Sequence, residues 1–129
     1  MNGNLIDTNI VIKLLNGDSE IAGLFEGLED IHIPVITVGE LHYGASKSSR
    51  KESNMKLFND FISEYPVLGI KPKTAQVYGE IKYALVQQGI NIPENDLWIA
   101  AIAVSENMKL ITCDKHFAKI EKLQVDIQS

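Results

Sequence analysis

The chain has 129 residues, of which 45% are hydrophobic, and a formal net charge of −5 at pH 7. This length is typical of one compact domain with its own core, so we predict a single domain over residues 1–129. The negative charge excludes a protein that coats nucleic acid through bulk positive charge, because such binding relies on many Lys and Arg side chains.

Two further features of the composition bear on location and chemistry. The longest apolar stretch, residues 97–104, is far shorter than the ~20 residues of a membrane-spanning helix, and no charged-then-apolar leader precedes Leu5. Cys113 is the only cysteine, which excludes an internal disulfide and the usual Cys-rich zinc sites and favours a structural thiol. We therefore expect a cytoplasmic protein with no membrane segment.

The first third of the chain predicts a strand and two helices. Leu5 and Ile6 form a short apolar strand, and the Asp-Thr-Asn sequence at 7–9 supplies residues that cap helices. Apolar residues at helical spacing then predict one helix over 10–15 and a second over 19–28.

The middle of the chain predicts a second strand followed by two helices. Residues 31–36 are rich in β-branched side chains and are interrupted by Pro34, which is typical of a short strand. Thr37 is expected to cap a third helix, after which residues 44–51 form a loop or a fraying helix end. An apolar stripe predicts a fourth helix over 55–65.

Strands and helices continue to alternate in the last half of the chain. The predicted elements are a strand at 67–70, a helix at 74–88, a helix from Asp96 to about Asn107 capped by Asn95, a strand at 110–112, a short helix near Phe117 and a strand near Val125. This alternation predicts an α/β/α sandwich around a central, mainly parallel sheet of four to five short strands. In such sheets the ligand crevice lies beyond the carboxyl ends of the strands.

Two aspartates directly follow predicted strands. Asp7 follows the first strand and Asp114 follows the strand at 110–112, so both would face the crevice if these strands are neighbours. Each aspartate could instead cap the helix that comes next. Sequence alone leaves both interpretations open.

Two more carboxylates are candidates for the same crevice. Asp96 begins a helix that is otherwise apolar, so its carboxylate would interact either with the helix dipole or with a bound cation. Glu40 shares a helix face with Thr37 and Gly44, which leaves it reachable, although a solvated face is the alternative. Four carboxylates in one crevice would repel each other unless a multivalent cation such as Mg²⁺ or Mn²⁺ bound them. Such a metal site suits phosphodiester hydrolysis.

Four short motifs carry a resemblance to a known family. In chain order they are Leu-Ile-Asp7-Thr8-Asn9, Ile-Thr37-Val-Gly-Glu40-Leu41 with Gly44, Asn95-Asp96-Leu-Trp-Ile-Ala-Ala, and Leu-Ile-Thr112-Cys-Asp114 followed by His116-Phe117. Together they resemble PIN-domain ribonucleases, in particular the VapC-like toxins of bacterial and archaeal toxin–antitoxin pairs. The polar opening at residues 2–4 departs from the family, whose members usually have a longer apolar first strand.

The resemblance implies a single PIN domain with a Mg²⁺-dependent endoribonuclease activity, for which Mn²⁺ is a possible substitute. It implies that Asp7, Glu40 and Asp96 are the main metal-site carboxylates and that Asp114 is the fourth. The matching hydroxyl residues, which would position the metal, its water or the scissile phosphate, are Thr8 and Thr112. Its implied partners are an RNA substrate, a VapB-like antitoxin that plugs the acidic site, and a second copy of the chain in a homodimer.

Two other classes of protein compete with this interpretation. A catalytically silent PIN-like module would bind RNA or protein, but four carboxylates bring no advantage to a binder of phosphates. A receiver-like phosphoacceptor domain has a similar length and an acidic pocket. It would need an acceptor Asp after a middle strand, and residues 67–73 contain none.

Other residues are weighed against simpler roles. The three histidines, His32, His42 and His116, lack a shared metal-ligand spacing. Trp98 and the aromatic stripe over 58–65 are assigned to the core or to a subunit interface. The basic side chains of Lys47, Arg50 and Lys51 could dock RNA phosphates or could form a plain solvated loop.

Overall fold

A computed structural model of the protein describes residues 2–129. Within this range the strands are β1 (Asn4–Ile6), β2 (Ile31–Pro34), β3 (Val67–Leu68), β4 (Lys109–Thr112) and β5 (Val125–Ile127). The α-helices are α1 (Thr8–Leu15), α2 (Ser19–Gly27), α3 (Val35–Lys47), α4 (Lys51–Ile62), α5 (Pro72–Gln87) and α6 (Glu94–Ser105). A short 3₁₀ helix (Lys115–Lys119) follows β4. None of the helices in this part of the chain combines the length and apolar character needed to cross a membrane.

The five strands form one sheet in the order β3-β2-β1-β4-β5, and every neighbouring pair is parallel. This confirms the predicted α/β architecture with a mainly parallel sheet of four to five strands. The chain first adds strands on one side of β1 and then crosses to the other side for β4 and β5. The strand order therefore reverses between β1 and β4, which is the position where open parallel sheets bind their ligands.

Alternation along the strands supplies both layers of the core. Leu5 and Leu110 face α5, α6 and the 3₁₀ helix, whereas Ile6 and Ile111 face the layer formed by α1 to α4. All four side chains are fully buried, and each contributes roughly 1.5–3 kcal/mol through the hydrophobic effect. Because both sheet faces are covered, the strands contain continuous apolar runs.

Two predicted helix caps are wrong. α3 begins at Val35 with Pro34 as its N-cap, and α6 begins at Glu94 with Pro93 as its N-cap, so neither Thr37 nor Asn95 caps a helix. Proline suits this position because its ring fixes φ near −65° and the helix start has no use for its missing N–H. The polar side chains of Thr37 and Asn95 lie one residue or more inside their helices instead, where they are available to the crevice.

The C-terminal end of α3 also differs from the sequence prediction. α3 continues to Lys47, so the stretch predicted as a loop or fraying helix end is helical over its first four residues. The first strand is short, as the polar opening suggested. A Cβ added to Gly3 would lie 2.6 Å from the Met108 side chain and 2.8 Å from the carbonyl of Asp30, so only glycine fits before β1.

Candidate active site

The site lies where β1 and β4 end side by side. Ile6 pairs with Ile111, and the backbone N–H of Asp7 donates a 3.0 Å hydrogen bond to the carbonyl of Ile111. Thr112 is the last residue of β4. Sheet register therefore places the side chains of Asp7 and Thr112 next to each other at the reversal of strand order.

The carboxylate of Asp7 is almost fully buried and is held by three donors. Its Oδ1 accepts from the backbone N–H of Thr8 at 2.8 Å, so Asp7 caps α1. Its Oδ2 accepts from the hydroxyl of Thr112 at 2.6 Å and from the amide of Asn9 at 3.2 Å. Burial raises the pKa of Asp7, the bonds from Thr112 and Thr8 oppose that rise, and the charges of Glu40 and Asp114 add to it. Capping and placement in the crevice are thus compatible roles for one side chain.

Glu40 reaches the same crevice from α3. The hydroxyl of Thr8 donates to Glu40 Oε1 at 2.6 Å, and the amide of Asn95 donates to Oε2 at 3.4 Å. The Thr8 hydroxyl also lies 3.1 Å from that of Thr37. Because a hydroxyl carries one proton, Thr8 accepts from Thr37 while it donates to Glu40. Glu40 is therefore oriented by neighbouring side chains and does not lie on a plain solvated helix face.

Asp96 lies in the first turn of α6 and is partly buried. Its pKa is raised to about 6, chiefly by burial and then by the negative charges of Asp7, Asp114 and Glu40, whereas His116 lowers it. No hydrogen bond offsets the rise, in contrast to Asp7. The structure thus brings all four predicted carboxylates into mutual electrostatic contact, and Asp96 is the least compensated of them.

Asp114 follows β4 and begins the 3₁₀ helix. Its Oδ1 accepts from the backbone N–H of His116 at 2.9 Å and lies 2.7 Å from the ring Nδ1 of the same residue. Its own backbone N–H donates to the Thr112 hydroxyl at 3.0 Å. Thr112 therefore uses its single proton toward Asp7, which links the ends of the two central strands. His116 contacts a site carboxylate, as its position two residues after Asp114 allows.

Three polar residues of the site were not among the predicted site residues. Asn9 donates to Asp7 and accepts from the backbone N–H of Cys113 at 3.0 Å, so it fastens the exit of β4 to the start of α1. Thr37 and Asn95 act on Thr8 and Glu40 as described above. Asn9 follows Asp7 by two residues and Asn95 directly precedes Asp96, and this proximity to motif aspartates was the signal in the sequence.

Three other residues named from the sequence have contacts that suit structural roles. His32 is buried and contacts the carbonyl of Asp30 at 3.2 Å. Trp98 stacks on Tyr78 with ring centroids 3.9 Å apart. Cys113 is partly buried against the apolar cluster beneath α1 to α4, which agrees with a structural thiol.

The donor set of the site suits a hard cation with few direct protein ligands. In residues 2–129 no three His, Cys, Asp or Glu side chains are placed so that all could hold one ion. Mg²⁺ suits a site with so few direct ligands, because it is usually bound through one or two carboxylates and keeps several of its waters. Asp96, whose raised pKa no hydrogen bond offsets, and Asp7, whose charge is the largest acting on Asp96, could hold such an ion.

Comparison with known proteins gives consistent matches over nearly the whole chain. The family model described as the PIN domain matches residues 5–123. Ribonuclease VapC2 of Haemophilus influenzae is 38% identical over 125 residues, which cover 95% of each chain. The crystal structure of VapBC2 from Rickettsia felis bound to a DNA fragment from their promoter contains a chain that matches with a TM-score of 0.93 and 33% identity, over 100% of both chains.

The all-parallel sheet with acidic residues at its switch point and the match of the family model agree on the class of protein. The chain belongs to the PIN-domain family. Within that family it is similar over most of its length to proteins named Ribonuclease VapC, including a second one from Rickettsia felis at 35% identity over 126 residues. The resemblance stated from the four motifs is thereby confirmed.

Proposed function

We propose that this protein is a Mg²⁺-dependent endoribonuclease that hydrolyses RNA phosphodiester bonds at the crevice between β1 and β4. The observation that carries the proposal is the convergence of Asp7, Glu40, Asp96 and Asp114, from four separate segments, at the point where the strand order reverses. Their mutual repulsion favours a bound divalent cation. The relatives named Ribonuclease VapC support RNA as the substrate class.

A bound Mg²⁺, or Mn²⁺ in its place, supplies Lewis-acid chemistry that activates water and stabilises charge on the phosphate. Asp7 and Asp96 would hold the ion, with Glu40 and Asp114 completing the acidic ring around it and its waters. Each of these four carboxylates would be more stable as an anion once the cation is present.

The chain's hydroxyl groups orient the carboxylates. The protons of Thr8 and Thr112 are already donated to Glu40 and Asp7, so these residues position acids and do not act as nucleophiles. Hydrolysis by an activated water needs no covalent nucleophile from the protein. The free thiol of Cys113 lies against an apolar cluster and takes no part in this scheme.

We further propose that the protein is the toxin of a toxin–antitoxin pair in the cytoplasm. The VapBC complex of Rickettsia felis, which matches the chain over its full length, supports a VapB-like antitoxin as partner. A basic side chain of that antitoxin would neutralise the acidic ring and so inhibit the enzyme. We also propose a homodimer assembled through helices, and exposed Leu57 on α4 offers apolar surface for it.

Cleavage of a mixed pool of cellular RNAs by the purified protein tests the proposal. The assay compares Mg²⁺ with EDTA, and the wild type with Asp7→Asn and with Glu121→Gln, an exposed acid on the surface that serves as the control. We expect cuts that require both Mg²⁺ and Asp7 and that persist in Glu121→Gln. RNA that stays intact under every condition would contradict the nuclease and favour a catalytically silent binding module.

A further inference from the structure

A groove of about 780 Å³ leads away from the acidic ring along α3. Glu40 and Asn95 line one end, and Tyr43 and Lys47 line the other. Glu40, Tyr43 and Lys47 are spaced three and four residues apart, so they share one face of α3 and span roughly 10 Å along its axis. The groove is therefore continuous with the site where we place RNA cleavage.

Tyr43 presents an open aromatic face to this groove. Its side chain is 68% exposed, and none of the aromatic ring pairs formed by residues 2–129 includes it. The ammonium group of Lys47 lies over this ring, 4.8 Å from its centre, so a base would stack on the opposite face. An exposed ring beside a cation is the combination that binds single-stranded nucleic acid, because bases stack on the ring and phosphates pair with the charge.

Lys47 is available for a phosphate contact. None of the salt bridges among the described residues includes Lys47, whereas several other lysines are paired with acids. Of the three basic residues that the sequence singled out, Lys47, Arg50 and Lys51, only Lys47 lines the groove. Its charge lies about two helical turns from Glu40, so it offsets the acidity of the site on the side from which a polyanion would enter.

Two glycines line the groove between these residues and leave the helix backbone exposed. They are Gly39 and Gly44, and a Cβ added at either position would meet no atom within 4 Å. Packing within the chain therefore does not require glycine there, although glycine costs a helix roughly 0.5–1 kcal/mol relative to alanine. The bare backbone lets another chain approach α3 closely.

We propose that this Tyr43–Lys47 groove binds the single-stranded RNA segment next to the scissile bond, with a base stacked on Tyr43 and a phosphate against Lys47. The inference rests on the proposed ribonuclease function and names where its substrate lies. Stacking on Tyr43 requires an unpaired base, so the groove selects loops, bulges or ends over RNA duplex. Exposed Ile12 and Val35 also line the groove, and the cation of Lys47 favours a polyanion over an apolar protein segment as the occupant.

Binding measurements in a cleavage-deficient background test this inference separately from catalysis. All variants carry Asp7→Asn, and fluorescence anisotropy gives the Kd of a labelled oligouridine at constant Mg²⁺ and varied salt. We expect Tyr43→Leu to weaken binding about tenfold and Tyr43→Phe to preserve it within about twofold. Lys47→Gln should weaken binding and reduce the slope of log Kd against log salt by about 0.7.

The chain offers matched controls for both positions. Tyr83 on α5 is 67% exposed and lies outside the groove, and Lys122 is an exposed lysine outside it, so Tyr83→Leu and Lys122→Gln should leave the Kd unchanged. Unchanged affinity in both Tyr43→Leu and Lys47→Gln, or equal losses in the controls, would overturn the inference and leave the groove to a protein partner. If these variants weaken binding but no RNA is ever cut, the nuclease proposal fails while the groove assignment stands.

Discussion

The hydroxyl of Thr112 donates a 2.6 Å hydrogen bond to Oδ2 of Asp7, and this bond joins the ends of the two central strands. Both residues are buried, and the Thr112 oxygen accepts from the backbone N–H of Asp114. That second bond directs the single hydroxyl proton toward Asp7. The contact stabilises a buried carboxylate as an anion, which burial alone would disfavour.

Replacing Thr112 with valine tests the importance of that bond. Thr112→Val keeps the side-chain shape and removes the donor, so the pKa of Asp7 should rise further and fewer molecules should carry its anion near neutral pH. We expect RNA cleavage to fall about 10–100-fold and the acidic limb of the activity–pH profile to move upward. Thr112→Ser keeps the hydroxyl and should retain the wild-type profile. An unchanged profile in Thr112→Val would argue against this role.

Asp96→Asn tests the assignment of Asp96 as a metal ligand. Calorimetric titration of Mn²⁺ at about pH 7.5 should give an affinity at least on the order of tenfold weaker than the wild type. Since the pKa of Asp96 is raised to about 6 by burial and by neighbouring charges, wild-type affinity should also fall as the pH drops through about 6. Equal affinity in both proteins at about pH 7.5 would remove Asp96 from the ligand set.

Asp96→Asn should also change the stability of the metal-free protein. A folded-state pKa above the ordinary value means that the folded protein binds this proton more tightly, so ionised Asp96 destabilises it above about pH 6 and the penalty is relieved as the pH falls. In EDTA at about pH 7.5, Asp96→Asn should therefore gain about 1 kcal/mol in its free energy of unfolding, a value reduced for solvent screening. Urea denaturation should show a smaller gain at about pH 5. A gain that grows on acidification would refute the assigned sign.

Asn9 is expected to support both the site and the fold. Asn9→Ala removes the acceptor for the N–H of Cys113 and a donor to Asp7, which should cost about 1–2 kcal/mol of unfolding free energy and lower activity. The exposed Asn59 on α4 provides the control, and Asn59→Ala should change stability by no more than about 0.5 kcal/mol. Equal unfolding midpoints in urea for Asn9→Ala and wild type would contradict the structural link.

Much of the architecture follows from local sequence pattern. The apolar runs at Leu5–Ile6 and at Leu110–Ile111 define strands buried on both faces, and an aspartate just beyond such a strand must lie near the crevice. Periodicity and the rule for parallel sheets therefore predicted that Asp7 and Asp114 face the crevice if β1 and β4 are neighbours, although a capping role stayed open for each. For Glu40 a solvated helix face and for Asp96 an interaction with the helix dipole were also compatible with the sequence, and the family resemblance identified both as site residues.

The contacts that complete the site depend on tertiary placement. The amide of Asn95 reaches Glu40 across 55 residues of sequence, and Thr112 reaches Asp7 across 105, so no local pattern encodes either bond. The two wrong caps have a shared cause, since a proline ended the extended segment one or more residues before the expected Thr37 and Asn95. Because Pro34 and Pro93 are the N-caps, Thr37 and Asn95 lie within the first turns of α3 and α6 and contact the crevice.

The most direct test of one shared, metal-dependent site is the rate of cleavage of a single identified RNA as a function of Mg²⁺ concentration. The rate is compared for wild type, Asp7→Asn, Glu40→Gln, Asp96→Asn, Asp114→Asn and the control Glu121→Gln. We predict that each site variant loses on the order of a hundredfold or more at saturating Mg²⁺ and that Glu121→Gln cleaves as the wild type does. Wild-type rates in EDTA, or in the Asp7→Asn and Asp96→Asn variants, would contradict a metal site built from these carboxylates.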